Sequence, residues 1–339
     1  MGAHAVDRNL EDLAASARAE LVREIEASGA FAADPGWRAA FATVPRHLFV
    51  PYYYAVGRVV GGGYERRWGE SPDPRTRERW VRGAYEDVPL ATRLRDGVLL
   101  SSSSQPSLMA QMLAELRVED GDNVLEIGAG TGYNAALLSY RLGEENVTTV
   151  DLDPEITESA RRHLAATGYR PTVVTGDGAR GVPEHAPFDR IIATCTLTSI
   201  PRAWLAQCAP GALILAPLAT GLIALTVRDA GHAEGRFLHT AAYFVPLRGS
   251  DRPEPEHVAL AGVPRRARES ELFRFLLALT RGTLDPQEAC ALWEREGMPE
   301  RERFGITVGA EHAWAWLDEP EGPYAWPLPD SSEPGLVEV

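Results

Sequence analysis

Val124-Leu125-Glu126-Ile127-Gly128-Ala129-Gly130-Thr131-Gly132-Tyr133 is the stretch that decides the fold. Its first four residues read as a buried strand and its glycines as a tight turn. A helix-forming segment runs on through Arg141, and a second strand ends at Asp151. This is a βαβ unit in which bare backbone at a helix N-terminus can meet a ligand, with an acid waiting at the next strand tip. Asp151 follows Gly132 by 19 residues, the spacing at which a carboxylate can take two ribose hydroxyls. The ligand is expected to contain adenosine.

Details of the turn select the cofactor. A dinucleotide fingerprint, G-x-G-x-x-G, requires its third glycine where Tyr133 stands; here that glycine comes one residue early, at Gly132. Glu126 precedes the turn by two residues, and its charge would repel a pyrophosphate but not the amino group and sulfonium of S-adenosyl-L-methionine. No G-K-[ST] follows, which excludes a phosphate-cradling P-loop. The expected cofactor-binding residues are Glu126, Gly128, Gly130, Gly132, Asp151 and Leu152. The third strand, Pro171 to Thr175, ends in Gly176-Asp177-Gly178, where Asp177 with Gly178 beside it can accept the adenine amino group. The fourth, Phe188 to Thr194, runs into Thr194-Cys195-Thr196, a tip that should face the transferred methyl because ligands of open α/β sheets bind beyond the carboxyl ends of strands. The expected fold is an α/β Rossmann-like sheet with helices on both faces, closing near Arg248.

Composition narrows the function classes. With 339 residues, 45% hydrophobic and 24% charged, the chain has ample material for a globular core. A net charge of −14 argues against nucleic acid, which demands a positive field. The basic clusters, Arg66-Arg67 to Arg79 and Arg265-Arg266-Arg268, read either as solvated surface or as local docking for an acidic peptide. Apolar runs such as Gly211 to Leu225 are interrupted by Pro217, Thr220 and Gly221, so no membrane span is expected. Cys195, Cys208 and Cys290 show no metal spacing, no metal is expected, and the first residues lack a secretory pattern. A cytoplasmic location is the default expectation.

Three segments are expected. Residues 1–100 hold N-terminal helices and an insertion or lid at 52–82, marked by three tyrosines, Gly61-Gly62-Gly63 and a charged, proline-bearing run too polar for core. Residues 101–248 form the S-adenosylmethionine-binding domain, with Ser104 as the N-cap of a helix containing Leu108 to Leu116. A polar linker then opens a small, distinct α+β region at 249–339: helices at Glu271 to Thr280 and, capped by Asp285, Pro286 to Glu296, then a hairpin carrying Trp314 and Trp316. His47, between two prolines, reads as a packed or capping histidine.

Several stretches together carry a resemblance. Val44-Pro45-Arg46-His47-Leu48-Phe49-Val50-Pro51, Ala84-Tyr85-Glu86-Asp87, Ser103-Ser104-Gln105-Pro106, Val124 to Tyr133, Gly176-Asp177-Gly178, Asp189 to Thr194 and Phe244-Val245-Pro246-Leu247 resemble, in order, the protein-L-isoaspartate O-methyltransferases. The resemblance implies methyl transfer from S-adenosylmethionine to a side-chain carboxylate in a polypeptide. Position by position it implies Ser104 beside the transfer centre, Asp151 as the ribose acid and Asp177 as the adenine-side acid; Ser103 is counted with the expected cofactor-binding residues. Repair enzymes of the family are usually shorter and lack both the 52–82 stretch and the Trp-rich tail. In layout the chain is similar to extended homologues that accompany ribosomally made peptide pathways and methylate an aspartate of a lanthipeptide or graspetide precursor. Their ester cyclises to an aspartimide that can open to isoaspartate.

The chemistry follows from elementary considerations. A carboxylate with an ordinary pKa near 4 is already the nucleophile at neutral pH and needs no general base. What it needs is positioning, and burial would favour its unreactive protonated form unless hydroxyls such as Ser104, with Thr194 or Thr196, stabilise it. The expected function is a carboxyl O-methyltransferase for Asp or isoAsp in a modified peptide, with a general isoaspartate repair enzyme as the alternative. A non-catalytic peptide-binding module on the same fold would fail to bind the cofactor in calorimetry. For a small-molecule methyltransferase the sequence suggests no closed apolar pocket.

Overall fold

Asp-Pro pairs start four of the helices. Asp34, Asp73, Asp153 and Asp285 each accept a hydrogen bond from a backbone N–H of the first turn, while the following proline fills a position whose N–H has no helical partner. The structure, a computed structural model, describes residues 3–56, 64–95, 97–249, 260 and 262–329.

In chain order the first elements are α1 (Ala3–Ala27), α2 (Pro35–Thr43), α3 (Arg46–Phe49), β1 (Tyr52–Val56), β2 (Tyr64–Trp68), α4 (Pro74–Ala84), β3 (Leu90–Arg95), β4 (Val98–Ser103) and α5 (Pro106–Glu115). Next come β5 (Val124–Ile127), α6 (Tyr133–Leu142), β6 (Val147–Asp151), α7 (Pro154–Ala166), β7 (Thr172–Thr175), β8 (Phe188–Ala193), α8 (Arg202–Leu205) and β9 (Cys208–Leu218). The last are β10 (Gly221–Asp229), β11 (His232–Ala241), α9 (Arg265–Glu269), α10 (Glu271–Leu279), α11 (Pro286–Arg295), β12 (Phe304–Val308), β13 (Ala313–Leu317) and β14 (Ala325–Pro327). Among the described residues no helix is long and apolar enough to cross a membrane.

Two compact units divide the chain: Met1–Asp122 with Ala129–Thr175, and Asn123–Gly128 with Gly176–Val339. This division cuts through the segment 101–248 expected as one domain. The first unit holds an antiparallel sheet in the order β2-β1-β3-β4 and the parallel pair β6–β7. In the second, the order is β14-β13-β12-β11-β10-β9-β8-β5, parallel from β5 to β9 and antiparallel beyond.

Several expectations are corrected. The 52–82 stretch is not a polar lid: in its described part it is a hairpin backed by α4, with Tyr53, Trp80 and Val81 buried. Trp80 Nε1 donates to the Val50 carbonyl at 2.8 Å, and Tyr53 Oη reaches the Arg79 and Trp80 carbonyls. The Gly61-Gly62-Gly63 run lies outside the described residues, as do most of the expected linker and the chain's last ten residues. Strands β3 and β4 were not expected, because serines and arginines mask their alternation. The α8 helix is a single turn, Arg202–Leu205, and Ala230-Gly231 closes a two-residue hairpin between β10 and β11 after Asp229.

The C-terminal region is not a separate body either. β12 pairs with β11 from Ala233↔Val308 to Arg236↔Gly305, and α10 packs Phe275 edge-on against Phe237 at 4.8 Å and Phe304 at 5.4 Å. Trp316 is 1% exposed and donates its Nε1–H to Thr307, so it is a cover for the sheet. A chain truncated after Ser250 would expose Phe237 and the edge of β11 together. Such a truncation is expected to abolish soluble folded protein, checked by expression and thermal melting; a cooperative melt near that of the full chain would overturn it.

Candidate active site

Within the first unit the glycine turn, Asp151 and the serine strand converge. The Asp151 carboxylate accepts from Gly130 N–H at 3.2 Å and from Asp153 N–H at 3.3 Å, which fixes it at the tip of β6 with 9% of its surface exposed. Gly132 has φ +86°, and a Cβ there would lie 3.3 Å from the Ala160 carbonyl of α7, so glycine permits both the turn and the close helix. A Cβ on Gly130 would lie 3.6 Å from the Ser102 carbonyl, which sets β4 beside the turn. The turn is held from behind by His163, whose Nδ1 lies 3.0 Å from the Thr131 carbonyl; burial lowers its pKa and favours the neutral ring as donor. Leu152, after Asp151, is 39% exposed.

Ser103 ends β4 and is buried, and Ser104, the next residue, is half-buried. Ser104 is not the expected N-cap: that position is taken by Gln105, and Pro106 opens α5. The start of α5 is anchored instead by Asp87, which accepts from Ser107 N–H at 2.8 Å and Gln105 Nε2 at 3.0 Å. Ser104 Oγ therefore has no hydrogen-bond partner among the described residues, and a hydroxyl at a strand end can serve a substrate oxygen.

What fixes this segment is Arg46, from the Val44–Pro51 motif, whose role no local sequence signal announces. Its side chain is 0% exposed. Nη1 donates to the carbonyls of Ala84 and Glu86, and Nη2 to those of Val88, Ser103 and Ser104, the last at 3.0 Å. Burial pulls its pKa down to about 10, so it stays charged at neutral pH. One guanidinium thus ties the Ala84–Val88 loop to the end of β4.

His47, next in sequence, packs between the Trp80 and Tyr85 rings, with Nδ1 at 2.7 Å from Tyr85 Oη. Burial, with Arg18 nearby, lowers its pKa from the ordinary 6.5 to about 4, so it is neutral at pH 7. The unfolded chain takes up this proton near pH 6.5 while the folded chain resists to about 4, so the neutral ring's contribution is present above 6.5 and is lost as pH falls through that window. Melts of wild type and His47→Gln from pH 7 to 4 check this. The wild type should lose stability more steeply, and parallel curves would remove the assignment.

The second unit carries the remaining residues. Glu126 is buried in β5 opposite Ile192. Gly128, at φ +101°, sits so close to Thr194 that a Cβ would lie 2.6 Å from Thr194 Oγ1. That hydroxyl donates to the Gly128 carbonyl at 2.9 Å, and Thr196 Oγ1 donates to the Phe244 carbonyl at 3.0 Å. Each threonine's single proton is thereby used on backbone, so both hold the local chain instead of donating to a substrate carboxylate. The Phe244-Val245-Pro246-Leu247 stretch pairs with Thr196 through Thr196 N–H to Val245 O and Leu247 N–H to Thr196 O, both 2.9 Å. Asp177 caps its own turn by accepting from Ala179 N–H at 2.9 Å, while Trp204 Nε1 donates to the Gly178 carbonyl at 2.8 Å. Gly178 packs on Ile127, where a Cβ would clash at 2.7 Å. The chain passes between the two units three times, at Asp122–Asn123, Gly128–Ala129 and Thr175–Gly176.

A family profile described as Protein-L-isoaspartate(D-aspartate) O-methyltransferase (PCMT) matches residues 75–251. A protein-L-isoaspartate O-methyltransferase of Methanococcoides burtonii is 32% identical over 234 residues, covering 68% of this chain and 98% of its own length. The chain belongs to the protein-L-isoaspartate O-methyltransferase family. The Thermotoga maritima enzyme of that name is 40% identical over 136 residues, 40% of this chain and 43% of its own length. A solved structure named protein-L-isoaspartate O-methyltransferase shares the fold at 22% identity and a TM-score of 0.59, covering 91% of this chain and 98% of that one. Another, from Plasmodium falciparum in complex with S-adenosyl-L-homocysteine, shares it at 14% identity and a TM-score of 0.50, covering 68% and 97%. The fold is the expected Rossmann-like class I methyltransferase, and the chain is an S-adenosylmethionine-dependent enzyme of isoaspartate O-methyltransferase type.

Proposed function

We propose that this methyltransferase esterifies an aspartate or isoaspartate side chain of a ribosomally made, modified peptide such as a lanthipeptide or graspetide precursor. The bound cofactor supplies an electrophilic methyl on a sulfonium. Asp151 would hold its ribose, Asp177 with Gly178 its adenine edge, and Glu126 with the Gly128, Gly130 and Gly132 turn its amino-acid end; Leu152, exposed after Asp151, and Ser103 would line the site. Ser104 would donate its hydroxyl to one carboxylate oxygen of the peptide and keep it ionised and aimed. The observation that carries this role is its uncommitted Oγ, in contrast to Thr194 and Thr196, which are positioning residues. Once formed, the ester is a better electrophile than the carboxylate, so the next backbone amide can attack it with loss of methanol, giving an aspartimide.

The reading of a dedicated peptide substrate rests on the segments outside the matched profile, the β1–β2 hairpin and residues 252–339, although one solved isoaspartate methyltransferase structure covers 91% of this chain. General repair of isoaspartyl proteins is the second reading, favoured by the 32–40% identity to enzymes bearing that name. Mass spectrometry of methylated peptides separates them. A dedicated enzyme esterifies one precursor far faster than unrelated isoaspartyl peptides; equal turnover of all of them sinks the dedicated reading. Ser104→Ala should lower methyl transfer by about 100-fold, the size of one lost preorganised donor. It should leave cofactor affinity within about twofold in calorimetry, and full activity would remove Ser104 from the site.

A further inference from the structure

The β1–β2 hairpin has two unlike faces. Tyr53 points to α4, against which Gly83 leaves room for its ring: a Cβ there would lie 2.0 Å from Tyr53 Oη. The opposite face is set by the register Tyr52↔Trp68, Tyr54↔Arg66 and Val56↔Tyr64, since residues directly opposite share a side of the sheet. It presents Tyr52, Tyr54, Tyr64, Arg66 and Trp68. Arg66 is exposed, its guanidinium 4.5 Å from the Tyr52 ring centre and 5.9 Å from that of Trp68; Tyr64 is 56% exposed. Tyr, Trp and Arg dominate the energetics of protein interfaces, because they bring large rigid surface and a forked donor at low entropic cost. An arginine already held between two rings is preorganised for a carboxylate.

The same face leads toward the serine segment. Tyr54 stands opposite Ala91, and Ala91 opposite Ser102, so the path from patch to β4 runs over two small side chains. Ser104 lies two residues beyond Ser102. Strand spacing puts the patch ~10–14 Å from β4, a distance spanned by about three to five extended residues. Charge agrees: residues 64–82 hold six arginines against four acids in a chain of net −14. We propose that this face of the hairpin binds the stretch of substrate peptide three to five residues from the methylated carboxylate, through aromatic and acidic side chains. This rests on peptide methyl transfer at Ser104 and assigns the recognition element for it.

The test uses the full chain and two synthetic isoaspartyl probes. One is an acetylated Gly-isoAsp-Gly tripeptide, too short to reach the patch; the other is a 13-residue peptide with Phe and Glu three to five residues on either side of the isoaspartate. Wild type should have a KM at least tenfold lower for the longer probe. Trp68→Ala and Arg66→Glu should erase that advantage, with tripeptide turnover and S-adenosylhomocysteine affinity within twofold of wild type. No advantage in wild type, an advantage that survives both variants, or an equal loss on both probes overturns the proposal. If wild type methylates neither probe, the methyl-transfer reading fails for such peptides. Fluorescence anisotropy of the labelled 13-mer then decides the patch alone: binding weakened at least tenfold by both variants supports it, and unchanged or undetectable binding overturns it. Sedimentation showing a wild-type dimer broken by the same variants also overturns it, by assigning the face to a second copy of the chain.

Discussion

Asp151→Ala is expected to weaken S-adenosylmethionine binding about 100-fold, the loss of two charge-assisted hydrogen bonds worth roughly 1.5 kcal/mol each. The carboxylate at the tip of β6 is held by Gly130 N–H at 3.2 Å and Asp153 N–H at 3.3 Å. Alanine removes the ribose acceptor and also frees the Gly130 amide, so the turn loses its tie to β6. Asp151→Asn separates these effects. Its amide oxygen can still accept from the backbone, but it is neutral and offers one acceptor oxygen instead of two, so its affinity should fall between wild type and alanine. Titration calorimetry with S-adenosylmethionine and with S-adenosylhomocysteine checks both variants. Because the Gly130 and Asp153 amides also lose their acceptor, thermal melts without cofactor should fall by a few degrees, and the cofactor-induced rise in Tm should shrink in step with affinity. Affinity within twofold of wild type in Asp151→Ala would remove the ribose assignment.

The βαβ unit was legible because its signals are local. A glycine turn needs positive φ at Gly128, Gly130 and Gly132, and all three have it. Asp-Pro announces a helix start, as at Asp153 and Asp285. Roles that depend on what a side chain meets across the fold were not legible. Thr194 and Thr196 have the right chemistry at the right strand tip, yet their protons go to the Gly128 and Phe244 carbonyls, the second 48 residues away. Strand structure at 52–56 and 64–68 hid behind tyrosines and arginines, since a hairpin with an aromatic and basic face lacks the alternation that marks a strand. The Trp-rich tail read as separate because its polar linker is local, while its pairing of β12 with β11 joins residues about 70 positions apart. Arg46 was invisible for the same reason: all of its acceptors are backbone carbonyls from two distant segments, which no residue type announces.

Among single substitutions, Arg46 carries the largest expected effect on stability. A buried guanidinium facing only carbonyls is costly to desolvate, and here five backbone carbonyls accept from it. Arg46→Met removes the charge but takes the donor from the buried carbonyls of Ala84 and Ser103 and from the part-buried ones of Glu86, Val88 and Ser104. Even with partial rearrangement this should cost on the order of 4 kcal/mol, a fall in Tm on the order of 10 °C. Arg46→Lys is the more informative change. A lysine keeps the charge, but its compact head cannot bridge two loops with the fork that Nη1 and Nη2 provide, so the end of β4 is released while the fold is retained. Displacing Ser104 by about 1 Å should lower kcat by on the order of 100-fold, with cofactor affinity little changed. If Arg46 acts through Ser104, the lysine substitution should cost far less in the Ser104→Ala background, because there is no hydroxyl left to misplace. A double-mutant cycle on kcat reads this directly. Equal losses in both backgrounds would mean that the clamp serves the fold alone and that the position of Ser104 is set by something else.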